Sequence, residues 1–182
     1  MIQVWHNEIT KRDLELLEES VRNRNIMEGP VLVEFERKMG ELLNIPYALG
    51  TSSGSAALAL ALMGIGIQPG DEVIIPDLTF IATANAACML GAKVILAPTE
   101  RNRPILDLQY IDELVTERTK AIITVDLNGR IAWSKELKAR YEKKGIYIID
   151  DACQAFMSGR ENGKAGTLAD IGCFSFCFTK LL

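Results

Sequence analysis

The sequence predicts an α/β protein built on a mainly parallel sheet with helices on both faces. Two observations carry this. Short runs rich in valine and isoleucine recur at residues 72–75, 93–96, 121–125 and 146–149, and amphipathic helical stretches alternate with them. No internal repeat, low-complexity tract or linker interrupts the 182 residues, so the chain reads as one domain or part of one.

The elements follow in order. Thr10-Lys11-Arg12-Asp13 resembles a capping box opening a helix with Leu14, Leu17 and Val21 on one side. Gly29-Pro30 starts a second helix over 31–43, with Val31, Phe35, Met39 and Leu42 spaced for a buried face. After Tyr47-Ala48-Leu49-Gly50, a small-residue turn at 51–55 leads into an apolar helix at 56–63. Helices around 79–90, 108–116 and 134–143 separate the strands, and a last strand at 171–176 follows a glycine-containing turn region at 158–169. Gly64-Ile65-Gly66 superficially suggests a dinucleotide fingerprint. It follows a helix and precedes a strand, the reverse of what such a turn requires.

Composition removes several function classes. With 48% hydrophobic and 24% charged residues the chain is too apolar for disorder, and a net charge of -4 leaves no footprint for nucleic acid or an anionic membrane. The longest apolar stretch, 56–67, is shorter than the ~20 residues a spanning helix needs. No secretory leader is read at the N-terminus. A Ser-His-Asp hydrolase or a histidine-rich metal site would have to be built around the single histidine, His6. Cys88, Cys153, Cys173 and Cys177 form no C-x-x-C pair and read as reduced, mostly buried thiols of a cytoplasmic protein, with Cys173 and Cys177 on one strand face.

In such sheets ligands bind outside the carboxyl ends of the strands. Four segments should converge there. Small residues at Ser53-Gly54-Ser55 before a helix let backbone N–H groups meet an anion, although an ordinary N-cap accounts for them better alone. Phe80, where a strand passes into a helix, could stack on a planar ring or simply pack in a core. Asp150-Asp151 end an apolar strand. One of these carboxylates could hold a protonated heterocyclic nitrogen while Gln154 bonds a ring substituent, or the segment is a solvated turn with an N-cap aspartate. Lys180, after Phe174-Ser175-Phe176, could be a Schiff-base nucleophile or a surface charge.

As an ordered series these segments resemble the DegT/StrS family of sugar aminotransferases dependent on pyridoxal 5'-phosphate (fold-type I, aspartate aminotransferase-like). The marks are Glu28-Gly29-Pro30 with Glu34-Phe35-Glu36, Ser53-Gly54-Ser55-Ala56-Ala57-Leu58, and Gln68-Pro69-Gly70-Asp71-Glu72-Val73. Thr79-Phe80-Ile81-Ala82-Thr83, Asp150-Asp151-Ala152-Cys153-Gln154-Ala155 and Gly172-Cys173-Phe174-Ser175-Phe176 leading to Thr179-Lys180 complete them.

The resemblance implies an N-terminal helical segment, 1–30, and an incomplete large cofactor-binding domain, 31–182, ending before a small domain. It implies that Lys180 joins the cofactor aldehyde, Asp151 pairs with the ring nitrogen, and Gln154 contacts the ring hydroxyl. Phe80 would stack on the ring, and Gly54, Ser55 and Ser175 would hold the phosphate. The reaction implied moves an amino group from an amino acid, glutamate by expectation, to a nucleotide-linked keto-sugar. Some relatives of that family carry histidine in place of the lysine and act as dehydratases, so Lys180 points to the transaminase branch. A homodimer is implied, with no nucleic-acid or membrane partner. The alternatives are an inactive truncated remnant, or half of a split enzyme completed by a C-terminal chain. Two departures stand out. Asp150 replaces the usual glutamate, and Leu96-Ala97-Pro98-Thr99-Glu100 lacks the usual aspartate.

Overall fold

Val73, Ile74 and Ile75 offer apolar side chains to both faces of a strand, and both faces are covered. The computed structural model describes residues 9–161 and 163–180. By compactness the chain divides into Met1–Thr51 and Ser52–Leu182.

The first unit holds α1 (Lys11–Arg22) and α2 (Pro30–Leu43). Thr10 and Asp13 form the expected reciprocal capping box, and Pro30 opens α2 at a position whose N–H needs no partner. Asn44 ends α2 in the left-handed region, a conformation asparagine tolerates. The apolar stripes are where the spacing puts them, but Leu14, Leu17 and Val21 are exposed. Of the four residues expected to be buried on α2 only Met39 is, joined by Leu43. Helical periodicity reports which residues share a face. It does not report what covers that face.

The second unit is a doubly wound sheet. Its elements are α3 (Gly54–Gly64), β1 (Glu72–Pro76), α4 (Ile81–Met89), β2 (Lys93–Ala97), α5 (Ile111–Leu114), β3 (Thr119–Val125), α6 (Ser134–Tyr141) and β4 (Tyr147–Asp151), then a two-strand hairpin of β5 (Gly159–Arg160) and β6 (Gly163–Lys164), and β7 (Ile171–Cys173). Five strands pair in the order β2-β1-β3-β4-β7, all parallel. Alternation along each strand sorts the core into two halves. Val73, Ile75, Ile123 and Ile149 pack with Leu58 and Leu62 of α3 and Ala87 of α4. Ile74, Ile122 and Ile148 face the opposite way, onto Ile111 of α5 and Leu137 and Tyr141 of α6. Helices therefore cover both faces, as the sequence predicts. The chain leaves β1 toward β2 and later returns on the other side to β3, so the switch point lies between β1 and β3.

Three boundaries differ from expectation. The segment read as a helix over 108–116 is a 3-10 turn at Leu108–Tyr110 followed by the single turn of α5. The last strand stops at Cys173, where its partner β4 ends at Asp151; Cys173 and Cys177 therefore share no strand face. β4 in turn runs through both aspartates. Asp150 and Asp151 pair with Thr124 and Val125 on one side and Gly172 and Cys173 on the other, so they belong to the sheet rather than to a solvated turn. The thiols also differ, since Cys88 and Cys177 are exposed and only Cys173 is buried.

A buried carboxylate also stands at the opposite end of the sheet from Asp150 and Asp151. Glu72, 1% exposed at the start of β1, accepts from the Thr116 hydroxyl at 2.6 Å, Arg118 at 2.9 Å and Lys93 at 3.3 Å. The Thr116 bond, with help from the two cations, pulls its carboxyl down to about 2. A depressed folded-state pKa contributes stability that is complete above the ordinary carboxylate range and is lost as pH falls toward about 2. Denaturation midpoints measured from pH 5 down to pH 2 should therefore drop in the wild type. The drop should be shallower in Glu72→Gln, whose stability is lower at pH 7.

Candidate active site

The carboxyl ends of β1, β3 and β4, the exit of β7 and the N-terminus of α3 enclose a cavity of about 300 Å³. All seven residues singled out from the sequence line it: Gly54, Ser55, Phe80, Asp151, Gln154, Ser175 and Lys180. His6 lies outside the described residues.

Each is placed by an identifiable local cause. Ser53 caps α3, its hydroxyl accepting the Ala56 N–H at 3.1 Å. The N–H groups of Gly54 and Ser55, in the first turn, have no acceptor within the helix, and the helix dipole makes this end favourable for an anion. Gly54 is required by close approach. A Cβ there would lie 2.8 Å from Cys153 Sγ and 3.0 Å from Ser175 Cβ, so only glycine lets α3 come down onto the ends of β4 and β7.

Asp151 ends β4 with its side chain toward the cavity and is almost wholly buried. Its Oδ2 accepts from the Thr83 hydroxyl at 2.8 Å and its Oδ1 from the Cys153 N–H at 3.3 Å. Thr83 is bonded in turn to Thr79, at 2.8 Å. Thr83 on the first turn of α4, backed by Thr79 just before the helix, thus fixes the carboxyl group in a single orientation. Gln154 is held by its own amide oxygen, which accepts the Asn128 N–H at 3.2 Å. Asn128 sits in a left-handed turn after β3, which aims that N–H across.

Phe80 stands at the start of α4, 61% exposed, with its ring open on the cavity side. The Lys180 Nζ lies 5.8 Å from the centroid of that ring, within cation–π range. The Lys180 backbone N–H closes a turn onto Cys177 O at 2.8 Å, which carries the side chain from the end of β7 back over the cavity. Ser175 Oγ accepts the Cys177 N–H at 3.4 Å.

The cysteines at this rim differ in character. Burial, followed by the Asp151 charge, pushes the Cys153 thiol up and makes it inert, whereas the exposed Cys177 thiol is drawn down by the Thr179 backbone and hydroxyl.

The donor set fits a phosphorylated heterocycle. A helix N-terminus, an oriented carboxylate, an aromatic face and a primary amine line one cavity. Sequence reasoning gave no role to Thr83, although the Thr79/Thr83 spacing was available as a signal. Nor did it single out the turn bearing Asn128, whose only mark is an Asn-Gly pair. Among the described residues no group of His, Cys, Asp and Glu could hold a metal ion, and no helix is long and apolar enough to cross a membrane.

The model of the DegT/DnrJ/EryC1/StrS aminotransferase family matches residues 7–182. A GDP-perosamine synthase from Caulobacter vibrioides is 36% identical over 154 residues, covering 85% of this chain and 42% of that one. A UDP-2-acetamido-2-deoxy-3-oxo-D-glucuronate aminotransferase from Pseudomonas aeruginosa is 34% identical, covering 89% and 45%. Among solved structures, an aminotransferase from Psychrobacter cryohalolentis superposes with a TM-score of 0.89 at 27% identity, covering 97% of this chain and 45% of that one. A DegT DnrJ EryC1 StrS aminotransferase from Brucella abortus gives 0.83 at 31% identity, covering 90% and 46%. The chain spans about half the length of the curated relatives it matches.

Proposed function

The chain belongs to the DegT/DnrJ/EryC1/StrS aminotransferase family, and from that premise we propose that it carries the cofactor-binding half of a pyridoxal-phosphate-dependent sugar aminotransferase. The reaction moves an amino group from an amino acid, glutamate in this proposal, to a nucleotide-linked keto-sugar. The donor leaves as its 2-keto acid and the sugar ketone becomes an amine, so nitrogen and electrons balance without an external oxidant. The observation that carries the reading is Asp151, locked by Thr83 on the floor of a cavity that Lys180 overhangs.

Pyridoxal phosphate, when bound, supplies a ring that accepts electron density from the carbon losing its proton. The residues of this chain do the rest. Asp151 holds a proton at the ring nitrogen. Gln154 orients the ring through its hydroxyl, and Phe80 covers one face. The α3 N-terminus at Gly54 and Ser55, with Ser175, takes the phosphate. Lys180 would hold the cofactor through its aldehyde and, as a free amine, would accept and return a proton at Nζ. We place residues 31–182 in the cofactor-binding domain, the protein in a homodimer, and its location in the cytoplasm, where the free thiols would stay reduced.

Mixing the protein with pyridoxal phosphate, reducing with borohydride and mapping the peptides tests the reading. The cofactor should be fixed to Lys180, and label elsewhere or nowhere overturns it. Mass spectrometry of nucleotide-linked keto-sugars incubated with glutamate then identifies the acceptor that gains an amine.

A further inference from the structure

Beneath the cavity floor lies a second carboxyl cluster that the proposed chemistry does not use. Asp126 follows β3 and Asp150 precedes Asp151 on β4, and both are completely buried. Because neighbouring strand residues point to opposite faces, Asp150 turns away from the cavity that Asp151 lines. Its Oδ1 accepts from the Thr124 hydroxyl at 2.9 Å and its Oδ2 from the Gly166 N–H at 2.9 Å, while Ser134 bonds Thr124 at 2.8 Å. Asp126 Oδ1 accepts the Ala132 N–H at 2.6 Å, but no donor among the described residues reaches its buried Oδ2. Thr124, two residues before Asp126, is the register partner of Asp150, and the Asp150 charge is the strongest acting on Asp126.

A buried carboxylate oxygen without a donor, beside a second carboxylate, is too costly to keep ionised. We propose that Asp126 and Asp150 share one proton, carried by Asp126, and that this neutral-plus-anion pair is a positioning device for the cofactor site.

The side that holds the proton follows from the donors. Burial pushes both carboxyls up, but Asp150 has the Gly166 N–H with the Thr124 and Ser134 hydroxyls favouring its charge, against the Ala132 N–H alone for Asp126. Burial, then the Asp150 charge, pushes Asp126 up to about 8. The charged groups acting on it are Asp150 and Asp151, both on β4, whereas α6 and the turn at 166 present neutral donors.

Asp126 reaches the site through its backbone and its turn. Its N–H donates to Asp151 O at 3.1 Å, its carbonyl accepts the Gly129 N–H at 3.2 Å, and its side chain pins Ala132. The turn so fixed carries the Asn128 N–H that holds Gln154. Loss of the shared proton would place a second negative charge beside Asp150 and loosen this turn. The positioning role, though not the pair itself, rests on the pyridoxal-phosphate reading.

The test begins on protein without cofactor. An aspartate whose folded-state pKa is raised loses stability as pH rises from the unfolded value to the folded one. Denaturant titrations from pH 5 to pH 9 should show the wild-type folding constant falling about tenfold per pH unit relative to Asp126→Asn, levelling above pH ~8. Parallel profiles overturn the pair. Should the variant fail to fold, infrared spectra of the wild type decide. A neutral carboxylic-acid carbonyl band at pH 6 that fades through pH ~8 supports the proposal, and no such band overturns it. Pyridoxal phosphate titrations then test positioning. Affinity should fall at least tenfold more from pH 7 to pH 9 in the wild type than in Asp126→Asn, and equal profiles overturn the role. If neither protein binds the cofactor at any pH, the functional reading fails while the stability profiles still judge the pair.

Discussion

Lys180→Ala is expected to abolish borohydride-fixed labelling by pyridoxal phosphate and to lower amine transfer by about 10⁴-fold or more. The floor on that loss comes from proton transfer alone, which a positioned amine accelerates by roughly 10²–10⁴-fold, and the lost covalent attachment adds to it. A 10⁴-fold loss corresponds to about 5 kcal/mol of barrier. Folding should barely change, within about 0.5 kcal/mol, because the side chain is partly exposed and reaches Phe80 only through a ring contact at 5.8 Å. Lys180→Arg should be as inactive as the alanine variant, since a guanidinium does not lose its proton near neutral pH. Added small amines should restore part of the alanine variant's rate if proton movement is what the lysine supplies. Retained labelling or a loss of less than tenfold would remove Lys180 from the chemistry.

How far the sequence discloses this site depends on the range over which each feature is determined. Strands such as Val73-Ile74-Ile75 and Ile148-Ile149 were legible because a strand buried on both faces must be apolar throughout its length. Gly54, Asp151 and Lys180 were legible because their order along the chain is itself a pattern. What stayed hidden was set between distant segments. The stripe on α1 announces a helix, yet nothing in Leu14, Leu17 and Val21 says that the stripe is left exposed. Thr83 matters because Asp151 lies 68 positions away in sequence. Asp150 reads as half of an acidic turn until β3 and β7 are seen pairing on either side of it. Its proton-sharing partner, Asp126, carries no local signal. The close approach of the turn at 166 to β7 is likewise invisible in a glycine-containing stretch that reads only as a loop.

That approach gives the second large effect. Gly172 pairs with Asp150 in the sheet, and a Cβ on it would lie 2.0 Å from Gly166 O and 2.7 Å from Gly166 Cα, all backbone atoms that cannot swing aside. Gly166 cannot yield in the other direction either, for it sits at φ +73 and its own Cβ position is 2.2 Å from the Phe174 ring. Gly172→Ala must therefore lift the turn off β7, and the Gly166 N–H leaves Asp150 with it. Overpacking costs about 1–3 kcal/mol, and a charge-assisted hydrogen bond lost from a buried carboxylate about 1.5–3 more. The sum, about 2.5–6 kcal/mol, should lower the melting temperature by roughly 5–20 °C in a chain of this size. Gly64→Ala provides the control. It ends α3 with nothing within 4 Å of the added methyl, so its melting temperature should stay level or rise slightly. Calorimetry on the two variants separates a general intolerance of alanine from this one contact. If Gly172→Ala melts with the wild type, the turn at 166 is not held against the sheet, and the Gly166 N–H is not among the donors that favour the charge on Asp150.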